Sequence, residues 1–424
     1  MMARVWWVGL VVLGVGGASL GQVRIEQMPG QGPLDGVEIH GVAAGAFDEG
    51  IWQAGTLHFV PDARSPLIAP RLAGVFRNIY APSAVDVPDG WRVFYGAWDG
   101  VHTPNDRIYS LFTADFIDLG ARRTEIEHGE FTHVCNVNAL RQINGTFRMI
   151  CTTYPDAHGG NKPACFVSPD GERWNGSPAP HAASRKDWIT IDGYPGFEHA
   201  DINGMNVLLH DPEDLRADSA ADGKADAYRL FFCDFKAGGH VYQALSADCC
   251  EFRYVGPCLD SRHFINDVRK FTHAGKPCYL MALHANTGAL WYALSSEGMQ
   301  FGSEQRMAEP LGGDDRYMVA VGWVTKGQHL LGFLYGAGPI SALTRNQIFA
   351  RWLQKKLVFT DANGKVTETT KALGPDRQIL ILGREAAEGT LEVFAEDGTT
   401  ALCKPIPVKL TPQGIYRLVV PARR

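Results

Sequence analysis

Four short stretches of this sequence share one shape: TADFIDL from Thr113, SPDGERW from Ser168, SADCCEF from Ser246 and SSEGMQF from Ser295. Each has Ser or Thr, any residue, an acid, and then an aromatic or leucine four positions after the acid. A motif that recurs along a chain restricts it to an array of one supersecondary unit, and this decides fold class before composition is considered. Alternating strands precede the motifs: RIYSLF, KPACFV, HVYQAL and ALWYAL. Further back lies a strand that opens on Gly or a polar residue, an aromatic and Arg, as in GWRVFYGAW from Gly90, TFRMICTTY from Thr146 and AYRLFFCDF from Ala227. GKPCYLMAL from Gly275 and GQHLLGFLYG from Gly327 are weaker copies. One more apolar strand comes before each: APSAVDV from Ala81, NVNALRQI from Asn136, INGMNVLL from Ile202, NDVRKF from Asn266 and MVAVGWV from Met318. The unit is strand, turn, strand, loop, strand, acidic turn, strand, roughly fifty residues long, the size of a four-stranded propeller blade. Five units fit between about Asn78 and Phe349, so the predicted class is all-β, a five-bladed β-propeller over 76–349.

The acidic motif is turn chemistry. A Ser or Asp at a hairpin turn accepts hydrogen bonds from backbone N–H groups just downstream, and the aromatic that follows packs between blades. Asp115, Asp170, Asp248 and Glu297 are therefore expected to be structural, at the end of the propeller opposite any site. After Phe349 the pattern changes to strands joined by Asn-Gly and Asp-Gly turns, which predicts a small β-sandwich appended over 350–424. Residues 23–75 are expected to form β structure that packs on that sandwich or completes a blade. Met1 to Gln22 reads as a cleavable secretory signal, with one Arg, the apolar run VWWVGLVVLGVG and a small-residue end. The mature chain is thus expected to be exported and free of the membrane, secreted or periplasmic, and its oligomeric state is left open. A formal net charge of -6 offers no footprint for nucleic acid. Nine cysteines are scattered along strands and not clustered as metal ligands, so most are expected to be buried small hydrophobes, with one or two disulfides open to an exported chain. No cofactor is expected. Asp218, Asp222 and Asp226 in the acidic insertion are the sole suggestion of a structural calcium, and a solvated loop is the favoured reading there.

At the other end of the propeller, two sets of loops meet. Those between second and third strands are WDGVHTPND, TYPDAHGGNK, DFKAGGH, HANTG and YGAGP; the leads into the first strands are FRNIYAP, EFTHVCN, FEHADIN, RHFIND and GGDDRYM. They concentrate His, Asp, Asn and aromatics on one rim, as a polyhydroxylated ligand requires. Asp201 and Asp267 begin innermost strands of neighbouring blades and are the leading candidates for acid and base work, with the anchoring of a strand entry as the alternative role. Asp106 faces the same funnel, and Asp99 precedes it in that loop. His102, His133 and His199 are candidates for holding hydroxyls or, for one of them, donating a proton. Asp314, Asp315 and Arg316 form a carboxylate clamp or an ion pair. Tyr80 and Trp98 are the chosen sugar-stacking aromatics, ahead of Tyr154 and Tyr335.

NIYAPSAV followed by WRVFYGAW, the five units and the SPDGERW-type turns together resemble the five-bladed β-propeller glycoside hydrolases, the group holding arabinanases, β-xylosidases, invertase-like fructosidases and neoagarobiose hydrolases. The resemblance covers about Asn78 to Phe349. It implies carboxylates at the starts of innermost strands of different blades, and an exported glycosidase acting at chain ends of a poly- or oligosaccharide by acid/base chemistry. One departure stands out: the Asp often found directly before Pro in the first blade is here Ala81. A non-catalytic carbohydrate-binding or scaffold propeller is the alternative.

Overall fold

The computed structural model describes residues 24–27, 59–62, 65–69, 79–98, 105–116, 118–155, 160–215, 223, 225–273, 276–285, 288–310, 315–341, 345–353, 357–364, 366–369, 387–393, 401, 404–410 and 416–419. Five antiparallel blades follow one another in chain order. Their innermost strands are Ile79–Val87, His133–Arg141, Ile202–His210, Phe264–His273 and Tyr317–Lys326, and each hairpins onto a second and then a third strand. The propeller is the predicted one.

The turns behave as their chemistry dictates. Thr113, Ser168, Ser246 and Ser295 each accept a backbone N–H from three residues on, at 2.6 to 2.9 Å. Asp170 and Asp248 each take two further backbone N–H groups. The residue after each acid lies in the left-handed region: Phe116, Gly171, Cys249 and Gly298 have φ of 59°, 78°, 73° and 74°. The closing aromatics pack between blades as expected, Trp174 against Phe94 of the first blade and Phe301 against Phe231 of the third. The repeated Arg of the second strand supplies the complementary contact. Arg92 lies against Gly171 and pairs with Glu172, and Arg229 donates to the Gly298 carbonyl, so blades one and three grip the turn of the blade that follows.

Blade two departs from the expected unit in having three strands. Arg173–Trp174 turns onto Ser177–Pro178 instead, and the following insertion covers the outer edges of its neighbours. His181–Ala182 adds in parallel to Arg123–Glu127 of blade one, and Thr190–Asp192 to Glu251–Asp260 of blade three. Covering an open edge satisfies its unpaired backbone groups. Blade five receives its fourth strand from the N-terminal side: Phe59–Pro61 pairs with Gln347–Leu353, and Asp62 accepts the Trp352 indole N–H at 2.7 Å. Arg24–Gln27 pairs instead with Tyr416–Val419 in a separate two-stranded sheet. Leu357–Asp361, Val366–Thr369, Ala387–Val393 and Ile406–Leu410 form one four-stranded sheet. The eight described cysteines are free.

All five innermost strands carry a β-bulge near their start. The extra residues include Ala81, Asn136, Gly204, Asn266 and Ala320, and all but Asn266 have φ between 43° and 75°. A bulge re-aims every side chain beyond it. Directly after the bulges, polar side chains tie blade to blade: Ser83 accepts the Ala139 N–H at 2.9 Å, and Asn138 accepts the Leu208 N–H at 3.0 Å. An apolar cluster draws on the innermost strands of all five blades, including Ala81, Cys135, Met205, Val268 and Ala320.

Candidate functional site

The cluster with the most unusual electrostatics lies where blades one, two and three meet on the loop-rich face. Asp106 precedes the third strand of blade one, Arg107–Thr113, and its backbone is fixed to the entry of blade two. Its carbonyl accepts the Val134 N–H at 3.1 Å, and the neighbouring Asn105 amide donates to the Thr132 carbonyl at 2.7 Å. The carboxyl group is buried. Oδ2 accepts the Tyr80 hydroxyl at 3.2 Å and stands 3.0 Å from His133 Nδ1, whereas Oδ1 has no hydrogen-bond partner among the described residues. Burial pushes the Asp106 carboxyl above the usual aspartate range, and the His133 contact only partly opposes this. Tyr80 is raised as well, first by burial and then by the charge of Asp106.

His133 Nδ1 also lies 3.1 Å from the Asp106 backbone N–H. That contact uses the ring lone pair, while the contact to Oδ2 uses a ring proton, so the two are alternatives selected by the protonation state of the pair. Nε2 has no partner among the described residues, and the ring is 25% exposed. The imidazole is flanked by Trp98 at 5.9 Å and by Tyr154 at 5.5 Å, edge on. Tyr154 in turn donates to Asn203, at the bulge of blade three. A half-open imidazole held by a buried carboxyl between two aromatic rings can exchange protons with a ligand hydroxyl or a leaving oxygen.

Of the residues expected from sequence, the structure thus gathers Tyr80, Trp98, Asp106 and His133, and adds Tyr154 and Asn203. Tyr154 was legible as an aromatic ending a second strand. Asn203 was not, because its position depends on the bulge. His102, Asp99 and Asp314 lie outside the described residues, as do Asp218 and Asp222; Asp226 is buried.

The other candidates stand elsewhere. Asp267 is fully buried, and its carboxylate accepts from Asn138 Nδ2 at 3.0 Å, Arg269 Nε at 3.2 Å and the Trp323 N–H at 2.9 Å. It follows the Asn266 bulge and joins blades two, four and five from inside. Its acidity is weakened by burial. Asp201 is half-buried and accepts from Asn161 at 2.6 Å, while its backbone N–H reaches Asp234. Asp201 and Asp267 share no hydrogen-bonding partner. His199 ends a single exposed 3-10 turn, where its carbonyl accepts Lys236 Nζ. Asp315 is buried against Arg351, 3.6 Å away, and the Tyr335 hydroxyl, so its ion pair is with Arg351 and not with Arg316. Arg316 is exposed over the Tyr317 ring. Tyr335 is buried against Phe349 and offers no free face.

No protein-family model matches the chain, and no curated protein matches it significantly. Among solved structures, the α-L-arabinofuranosidase PaAbf62A from Podospora anserina in complex with cellotriose superposes with a TM-score of 0.50 at 13% identity, over 71% of this chain and 98% of that one. BT0996 in its RGII complex superposes with a TM-score of 0.51 at 10% identity, over 72% and 94%. The catalytic domain of the GH62 α-L-arabinofuranosidase of Coprinopsis cinerea gives 0.49 at 13% identity, over 71% and 98%. The fold that the chain shares with these structures is the five-bladed β-propeller. Against the carboxylates that the sequence resemblance implies at the starts of innermost strands, the bulges here carry Ala81, Asn136, Gly204, Asn266 and Ala320, none of them acidic.

Proposed function

We propose that the protein is an exported glycosidase and that the Asp106–His133 pair performs its proton transfer. The observation that carries this reading is the pair itself: a buried carboxyl held to Nδ1, with Nε2 unpartnered and aromatic rings on either side. Asp106 holds the ring at Nδ1, and Nε2 delivers the proton to the departing glycosidic oxygen as the C–O bond breaks. Water adds to the anomeric carbon. Asp99, next to Trp98 in sequence, is the candidate for activating that water or for attacking the carbon. Trp98, only partly buried, is the wall against which the sugar lies, while Tyr80, expected from sequence to stack on sugar, is buried and holds Asp106 through its hydroxyl. Action at chain ends is part of this proposal, and export rests on the character of Met1 to Gln22.

A second reading, carbohydrate binding without turnover, is favoured by the bulge residues that carry no acid. One screen separates the two: purified protein against neutral plant and algal oligosaccharides, with release of reducing ends measured beside binding. Turnover that falls by about 10² to 10⁴ in His133→Asn, with binding retained, supports the glycosidase. Near wild-type turnover in that variant removes the pair from the reaction, and binding with no turnover by the wild type establishes the second reading.

A further inference from the structure

The contacts that begin at Asp106 continue past the candidate site. Tyr154 donates to Asn203, and Gly204 follows Asn203 in the bulge of blade three with φ of 75°. A Cβ on Gly204 would lie 3.5 Å from the Phe235 ring, so that ring rests directly on the bulge backbone. Phe235 begins the loop between the second and third strands of blade three and stacks on Phe264, the first residue of the innermost strand of blade four, with centroids 4.4 Å apart and planes 26° from parallel. Beyond Phe264 lie His284 and, hydrogen-bonded to it, Asn266. An arc of side chains thus runs from blade one to blade four on a single face.

Phe235 is 42% exposed. The other exposed aromatic among the described residues, Phe112, lies in the third strand of blade one, beside a pocket that Arg92 and Asp170 also line near the acidic turns at the opposite end. Phe235 is the one that stacks on a second ring and adjoins the candidate site. Its surroundings are the Asn203 and Asn266 amides, the Tyr154 phenol and the His284 imidazole, together with Asp201, whose carbonyl accepts the Phe235 N–H at 2.9 Å, and Lys236, whose Nζ donates to the His199 carbonyl. An aromatic face bordered by hydrogen-bonding groups suits the C–H face of a sugar ring.

We infer that the Phe235–Phe264 stack is a second sugar subsite, which holds a more distant pyranose unit of the neutral oligosaccharide whose end lies at Trp98 and His133. This rests on the carbohydrate reading above and adds to it that the preferred ligand is a chain of several units.

The test uses the whole protein, first on an array of neutral plant and algal oligosaccharides, then by calorimetric titration with the best binder and its shorter homologues. Wild-type affinity is expected to rise roughly tenfold at the length that reaches the stack, an increment of the size one aromatic contact provides. Phe235→Ala should lose that increment and leave the shorter ligands unchanged, Phe235→Trp should keep it, and Phe112→Ala should alter nothing. Equal wild-type affinity at all lengths, or an equal loss at all lengths in Phe235→Ala, would overturn the subsite. If His133→Asn loses turnover while Phe235→Ala leaves the length series intact, the subsite fails and the glycosidase reading stands. If the wild type binds no member of the array, both fail.

Discussion

Asp267→Asn separates a structural carboxylate from a catalytic one. The side chain is fully buried, with Oδ2 facing the Trp323 N–H and Arg269 Nε and Oδ1 facing the Asn138 amide. Asparagine has the same shape but only one acceptor oxygen. Whichever way its amide is turned, its NH₂ meets at least one donor, and a buried donor left unsatisfied costs about 1–3 kcal/mol. Arg269, whose side chain is 15% exposed, also loses its counter-charge, and breaking a buried ion pair by removing one partner costs about 3–5 kcal/mol. Against this, burial already raises the energy of the ionised Asp267, and the substitution relieves that cost. The net expectation is about 3 kcal/mol of destabilisation. For a chain of this size that lowers Tm by roughly 4 °C. Scanning calorimetry on the full chain measures it, with turnover assayed well below both transitions, where the folded variant should retain activity. Asn138→Ala combined with Asp267→Asn should cost less than the sum of the single variants, because the two share a contact. An unchanged Tm with turnover down by orders of magnitude would refute the structural assignment and return Asp267 to the reaction.

Asp106→Asn should act in the opposite sense. Burial raises the folded-state pKa of Asp106, so its ionised form burdens the fold once pH rises through that pKa, and the neutral amide is expected to raise Tm at neutral pH while turnover falls. The gain in Tm should vanish as pH drops below the ordinary aspartate value, where the carboxyl is protonated folded and unfolded; a gain that persists there contradicts the assignment. Gly298→Ala should destabilise by about 2–5 kcal/mol, since its Cβ would overlap the Arg229 guanidinium and lie 2.8 Å from the Tyr279 ring. Phe116 and Cys249 occupy the same turn position at positive φ, so the collision between blades is the larger part of that cost, and chemical denaturation that finds less than 1 kcal/mol, roughly the backbone contribution alone, would count against it.

Local chemistry made the propeller legible. A hydroxyl that takes the N–H three residues on, an acid that takes the next ones, and an aromatic four residues later repeat because each blade must make the same turn and fill the same seam, and every group involved lies within seven residues of chain. The same locality placed Tyr80, Trp98, Asp106 and His133 at strand ends on one face. It could not place Asp267 or Asp315. The Asn266 bulge shifts the side-chain alternation by one, and Asp267 is buried on the inside of the ring, held by Asn138 of blade two and the Trp323 N–H of blade five. Asp315 finds Arg351 only after the chain has returned through two strands of blade five. Nor could sequence reveal that Phe235 lies over Gly204 and against Phe264, or which residues of the N-terminal segment close which blade, because these contacts join residues whose separation along the chain says nothing of their distance in space. Turn geometry needs a few adjacent residues, but whether a carboxylate is acid, base or strut depends on burial and on donors brought from other blades, and only the closed ring supplies those.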